Sequence, residues 1–245
     1  MTQKLSPQDQ KLNIAAPVGF DAQAVPIEEV CDAQPKVADY ALDPLSLRHR
    51  FQNPQVWHPE ITDESRHVIA SDIISKRQAA GKVTRAAVLI PLLLKSDGLT
   101  VLLTQRTDHL HDHAGQISFP GGRMDPGDSS PNDTALRESE EEIGLDREGV
   151  EIIGHLPQYL TVSGYSVTPV VGLVKPQAEY VLDSFEVADV FEVPLHFLMN
   201  PANHQVRAWE SDLGSRRFYS MPYENRFIWG ATAGMLRNLY HLLKV

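Results

Sequence analysis

Apolar positions change period several times along this chain. From Thr62 to Ala80, Val68, Ile69, Ile73 and Ile74 recur at near-helical spacing, and Gly81 follows. That pattern predicts a capped helix. Thr84 to Leu94 is an almost unbroken apolar run, Ser96-Asp97-Gly98 a turn, and Leu99 to Thr104 a second run, together a predicted hairpin. Pro91 inside the first run predicts an edge or a bulge. Ile117 to Phe119, Val150 to Leu160 and Val167 to Val174 read as further strands. Thr161 to Tyr165 is a polar loop with an exposed aromatic candidate. Pro194 to Met199 makes a short helical turn, and Val206 to Trp209 pairs with Arg217 to Ser220 across Leu213-Gly214. Phe227-Ile228-Trp229 precedes an amphipathic helix, Thr232 to Leu243, whose Met235, Leu236, Leu239 and Leu242 face a core. Strands dominate around one central and one terminal helix, an α+β pattern that fits an αβα sandwich on a mixed sheet.

The central helix is the unusual element. It belongs to Phe119–Leu145, a loop with two glycines, Gly121 and Gly122, that feeds a strongly acidic segment. Ser130 is the predicted N-cap, Pro131 the first helical residue, Asp133 the third, and Gly144 the stop. Ala135, Leu136, Ser139 and Ile143 form a face able to pack on a core. Glu138, Glu141 and Glu142 stand at i, i+3 and i+4, where they repel one another near the C-terminal end of the helix dipole. Such crowding predicts a compensating cation, and hard oxygen donors favour Mg2+ or Mn2+ over zinc. The plainer alternative is a solvated acidic face with Arg137 as its local partner.

Residues 1–62 differ in texture. Pro7, Pro17, Pro26, Pro35, Pro44, Pro54 and Pro59 interrupt them, which predicts an extended or partly disordered arm anchored by Leu45, Leu47, Phe51 and Trp57. Residues 63–245 then make the domain. A formal net charge of -10 disfavours nucleic acid or an anionic membrane as the main partner, but not an anionic small molecule beside a metal. Cys31 is the only cysteine, so no disulfide can form within the chain and a free inert thiol is expected. No apolar run reaches transmembrane length, and the start lacks the layout of a signal or transit peptide, which predicts a cytoplasmic protein. His109 to His113, His-Leu-His-Asp-His, reads as a surface loop rather than a metal site.

Arg137-Glu138-Ser139-Glu140-Glu141-Glu142-Ile143-Gly144-Leu145 resembles the helical half of the Nudix hydrolase signature, with Ser139 in place of a bulky aliphatic residue. The loop from Gly122 to Arg137 is one residue longer than the general signature, and Asp128 stands where a glutamate is usual. Leu102-Leu103-Thr104-Gln105-Arg106, Gly115 and Phe119-Pro120-Gly121-Gly122 are similar to the motif of the coenzyme A pyrophosphatase branch. So are the longer loop, Ser163-Gly164-Tyr165 with Thr168 to Gly172, and Phe191 to Leu195. Thr107 and His111 depart from that branch, His111 replacing an arginine.

The resemblance implies a Nudix-type αβα sandwich with a loop-helix-loop metal site, and homodimerisation. It implies metal ligation by Glu138, Glu141, Glu142 and the Gly122 carbonyl, with Arg137 orienting the carboxylates. Glu141 is the first candidate for general base; Glu186 and Glu192 come behind it. Arg106, Gly121, Gly122 and Tyr165 are candidate substrate contacts, although Arg106 could simply be solvated and Tyr165 a loop anchor. The implied reaction is hydrolysis of the diphosphate of coenzyme A or a derivative, giving 4′-phosphopantetheine, or its acyl form, and adenosine 3′,5′-bisphosphate. The alternatives are a Nudix pyrophosphatase acting on ADP-ribose, NADH or a dinucleoside polyphosphate, and a non-catalytic binding protein on the same fold.

Overall fold

The computed structural model describes residues 20–60, 83–109, 115–161, 164–211 and 214–244. The helix predicted over Thr62–Ala80 and the residues Leu110 to His113 lie outside them.

A mixed sheet of eight strands carries the fold. Its spine is β4 (Ile117–Ser118), β3 (Gly98–Arg106), β2 (Thr84–Lys95), β8 (Tyr165–Val174) and β6 (Val150–His155). β5 (Gly121–Arg123) pairs with β2, β7 (Tyr159–Leu160) with β8, and β9 (Val187–Pro194) with β3. The predicted hairpin is present as β2 and β3, paired from Leu92↔Val101 to Lys95↔Gly98. β2 and β8 run parallel, and the other pairings are antiparallel.

β2 reads as a continuous apolar run because both its faces are covered. Ala87, Leu89 and Leu93 join Ala135 and Ile143 of helix α2 (Pro131–Ile143) in one core. Ala86, Ile90 and Leu92 join Met235, Leu236 and Leu239 of helix α4 (Gly230–Leu243) in another. The period of two along the strand thus separates two layers of helix. Pro91, expected at an edge or a bulge, sits instead in a central strand. It falls between the ladder to β5 at Ala86–Val88 and the ladder to β3 from Leu92, where a missing N–H leaves no ladder bond unmade.

Residues 20–60, read as an extended arm able to lie against the domain or a partner subunit, lie against the domain and carry regular elements of their own. β1 (Ile27–Val30) edges a second, antiparallel sheet with β10 (Gln205–Ser211), β11 (Gly214–Tyr223) and β12 (Arg226–Trp229). Helix α1 (Pro44–Gln52) starts at Asp43, whose carboxylate accepts from Leu45 N and Ser46 N at 2.8 and 3.1 Å. Leu47 of α1 is fully buried, and Arg48 forks onto Glu151 with both bonds at 2.7 Å. Cys31 is free and buried, and burial raises its thiol pKa.

The terminal helix departs from the amphipathic expectation: α4 is buried nearly all round, including Asn238 and a wholly buried Arg237. The Arg237 guanidinium donates to Glu60 Oε2 at 2.7 Å and Gln34 Oε1 at 3.0 Å, and to His204 Nδ1 at 3.0 Å. It lies between the rings of Tyr219 and Tyr240, each centroid 4.9 Å away. Folding the arm over α4 is what turns its polar face inward. Helix α3 (Leu195–Leu198) is the predicted turn after β9.

Candidate active site

α2 is built as its local signals predict. Ser130 Oγ accepts from Asp133 N at 3.2 Å, Pro131 takes the first position, and Gly144 at φ +63° donates its N–H to Glu140 O at 2.9 Å. Thr134, Ala135, Ser139 and Ile143 are buried against the sheet. Ser139, in place of a bulky aliphatic, returns its hydroxyl to Ala135 O at 2.6 Å and so satisfies itself within the helix.

The three glutamates face different surroundings. Glu142 is buried, Glu138 largely covered, and the Glu141 side chain 58% exposed. Glu142 Oε2 accepts from Gly121 N at 3.1 Å, and its Oε1 lies 3.9 Å from Arg106 Nη1. Burial first, then the negative charges of Glu138 and Glu186, push the Glu142 pKa up to about 8 against the Gly121 N–H and Arg106. Glu138 is raised too, again by burial first and by its acidic neighbours, with Arg137 opposing. The Glu138 carboxylate occupies the space a side chain at Gly122 would need: a Cβ there would lie 2.6 Å from Glu138 Cδ.

Arg137 ties the loop to the helix. It donates to Asp128 through Nε at 2.9 Å and Nη2 at 3.0 Å, and to Arg123 O at 3.1 Å. Glu138 Oε1 and Glu141 Oε2 each lie 2.9 Å from it. The longer loop closes on itself, with Asp128 N donating to Asp125 O at 3.0 Å and Asp125 N to Asp128 Oδ2 at 2.9 Å. Asp128 is therefore the guanidinium's anchor, a role signalled in the sequence only by its place where a glutamate is usual.

Arg106, at the end of β3, is not simply solvated. It stands between Glu142 and Glu186, whose Oε2 is 3.8 Å from Nη2. The two acidic residues outside the helix separate in space: Glu186 borders Glu138 and Glu142, whereas Glu192 is committed to Lys95 and Thr100, each at 2.7 Å. Asp189 pairs with Arg226. Tyr165, read either as an exposed substrate contact or as a loop anchor, opens β8 and packs a partly buried ring against the larger core, closer to the anchor.

Among the described residues, no three carboxylate, imidazole or thiol groups converge at ligand distance, because Glu138 and Glu141 lean onto Arg137. The chemistry of the donor set still fits a hard divalent ion. Glu138 and Glu142 stand four residues apart on α2, and both have their pKa raised by burial first and then by neighbouring carboxylates.

Comparison with known proteins decides the family. The "NUDIX domain" family matches residues 83–211, more than half the chain. The chain belongs to the Nudix family. A protein named "Uncharacterized Nudix hydrolase NudL" from Yersinia pestis is 44% identical over 155 residues, covering 63% of this chain and 77% of its own. A Nudix hydrolase from M. smegmatis, RenU, aligns at 23% identity with a TM-score of 0.40, over 46% of this chain and 71% of its own. A C. elegans Ap4A hydrolase aligns at 22% identity with a TM-score of 0.40, over 49% of this chain and 86% of its own. The expected Nudix α+β fold is therefore present, and the chain is a Nudix pyrophosphohydrolase of the class that uses divalent metal ions and small nucleoside diphosphate substrates.

Proposed function

We propose that this Nudix enzyme hydrolyses the diphosphate bond of coenzyme A or its derivatives, releasing 4′-phosphopantetheine, or its acyl form, and adenosine 3′,5′-bisphosphate. The observation that carries the reading is the meeting of two motifs. Arg106, from the segment similar to the coenzyme A pyrophosphatase branch, reaches within 3.9 Å of Glu142 of the metal helix. A cation beside the metal carboxylates suits a dianionic diphosphate.

Glu138, Glu141, Glu142 and the Gly122 carbonyl would hold Mg2+ or Mn2+. Bound there, the ion supplies charge neutralisation at the diphosphate and an acidified water. Arg137 keeps Glu138 and Glu141 turned toward the loop. Exposed Glu141 is positioned to take a proton from solvent-derived water, its other role being ligation. Glu186 is the second candidate base, since it shares the negative field around Glu138 and Glu142. Arg106 would receive a substrate phosphate, with the Gly121–Gly122 backbone beside it.

The test is a substrate panel. Purified protein with magnesium or manganese is offered coenzyme A, ADP-ribose, NADH, diadenosine polyphosphates and oxidised nucleotides. Coenzyme A is expected among the better substrates; its absence from them overturns the reading and leaves a Nudix pyrophosphatase of other specificity.

A further inference from the structure

Phe185 is a large apolar residue left 64% exposed, next in sequence to Glu186, which borders Arg106. Single exposed apolar side chains are common, and what distinguishes this one is how firmly its backbone is held. Phe185 O accepts from Thr107 Oγ1 at 2.8 Å, and Phe185 N donates to Asp183 Oδ1 at 2.9 Å. Thr107 N donates to Glu186 O at 3.0 Å, and Glu186 N to Asp183 O at 3.0 Å. Asp183 N in turn donates to the backbone carbonyl of Glu142 at 2.9 Å, and Val181 N to that of Ile143 at 3.1 Å. The segment is thus clipped to β3 next to Arg106 and to α2 at a metal-ligand candidate.

The ring is also oriented. Its centroid lies 5.0 Å from the His109 ring, at an interplanar angle of 58°. Two rings inclined in this way form a corner that offers a face to one flat group and an edge contact to it. The neighbouring residue, Glu186, lies 3.8 Å from Arg106. The corner and the proposed phosphate contact therefore belong to one short stretch of surface. Tyr165 is partly buried against the core, so it is the less available aromatic.

We infer that Phe185, backed by His109, is the stacking surface for the nucleobase of the substrate. The assignment rests on the site taking a nucleoside diphosphate. A nucleobase presents a π-face to the phenyl ring regardless of its hydrogen-bonding edge, so stacking contributes affinity without strict choice among bases.

The experiment titrates wild-type protein, Phe185→Leu and Phe185→Trp with ADP and with inorganic pyrophosphate, in magnesium, by calorimetry. Wild type is expected to bind ADP more tightly than pyrophosphate. Phe185→Leu is expected to weaken ADP by roughly 5- to 150-fold and leave pyrophosphate unchanged. Phe185→Trp is expected to keep ADP affinity, with fluorescence quenched by ADP and not by pyrophosphate. Equal wild-type affinity for the two ligands overturns the inference. So does an unchanged ADP affinity in Phe185→Leu, or an equal loss of both ligands, which marks a structural role. Because coenzyme A is absent from these titrations, a failure of coenzyme A in the substrate panel leaves their outcome readable.

Discussion

Asp128 and Arg137 form a two-point fork, with Nε at 2.9 Å from Oδ1 and Nη2 at 3.0 Å from Oδ2. The guanidinium holds the Asp128 carboxyl far below the usual carboxylate range. The same planar group reaches Glu138 and Glu141, so its orientation fixes theirs. An ammonium cannot reproduce that geometry. Arg137→Lys is expected to lower turnover and metal affinity by about 10- to 100-fold, the usual cost of disturbing groups that orient metal ligands. Steady-state kinetics across a magnesium titration checks this; wild-type affinity and rate in the variant would remove Arg137 from the orienting role.

The paired glycines should respond differently to alanine. Gly121 has φ +148°, and a Cβ there would stand 2.5 Å from Ala87 O and Val88 Cα. Neither backbone atom can move cheaply, so Gly121→Ala is expected to cost at least ~2 kcal/mol of stability. At Gly122 the obstruction is the end of the Glu138 side chain. Gly122→Ala is therefore expected to fold nearly as well as wild type while losing activity through displacement of Glu138. Denaturant melts and rates on the two variants separate the effects.

How much was legible beforehand depended on how local the signal was. α2 was readable from Ser130 to Gly144 because caps, proline and stop act within a turn of the residues that carry them. The β2–β3 hairpin was readable for the same reason. Pro91 misled because a gap between two ladders looks, in sequence, like an edge. The arm misled because, among its described prolines, Pro44 takes the first position of α1 and the others lie in irregular connections between short elements, while Leu47 and Val37 find their core in distant residues. Nothing local to the terminal helix marks Arg237 as buried, because the Gln34 and Glu60 that receive its guanidinium lie far away in the sequence. Among site residues, Glu138 and Glu142 were visible from spacing, but the separation of Glu186 from Glu192 needed the pairing of β3 with β9.

Glu142 should uncouple activity from metal-free stability. Its carboxyl, buried among like charges and pushed to about 8, is a poor anion without a cation beside it. Glu142→Gln keeps the shape and removes the charge. Turnover is expected to fall by at least ~100-fold, while the metal-free melting temperature stays level or rises. The stabilisation that added manganese gives the wild type should shrink in the variant, since a ligand stabilises only the state that binds it. Thermal melts with and without manganese read both parts.

Acid should unfold the protein in two stages. Burial foremost lowers the His204 pKa to about 4, and its Nδ1 accepts from Arg237. The unfolded chain takes up that proton first, so stability is full above about 6.5 and declines toward 4. Burial would raise Glu60, but His241, Arg237 and Tyr219 outweigh it and hold the carboxyl at about 2. Its contribution is full above 4.5 and is lost as pH falls through 2. Urea unfolding at a series of pH values should show both declines, and Glu60→Gln should flatten the lower one.

The link between Glu60 and Arg237 also sets what can be moved. The stretch that identifies the family, 83–211, contains neither residue, and it lacks α1, β12 and α4 as well. Cutting the chain at those borders would strip β2 of the helix layer on one face and leave β10 without either neighbouring strand. A chain beginning after Glu60 would lose the carboxylate that Arg237 holds, together with the arm that covers it, opening the polar face of α4 to solvent. The recognisable signature and the transplantable unit are therefore different objects: a graft of this acidic helix into another protein has to carry its two flanks along.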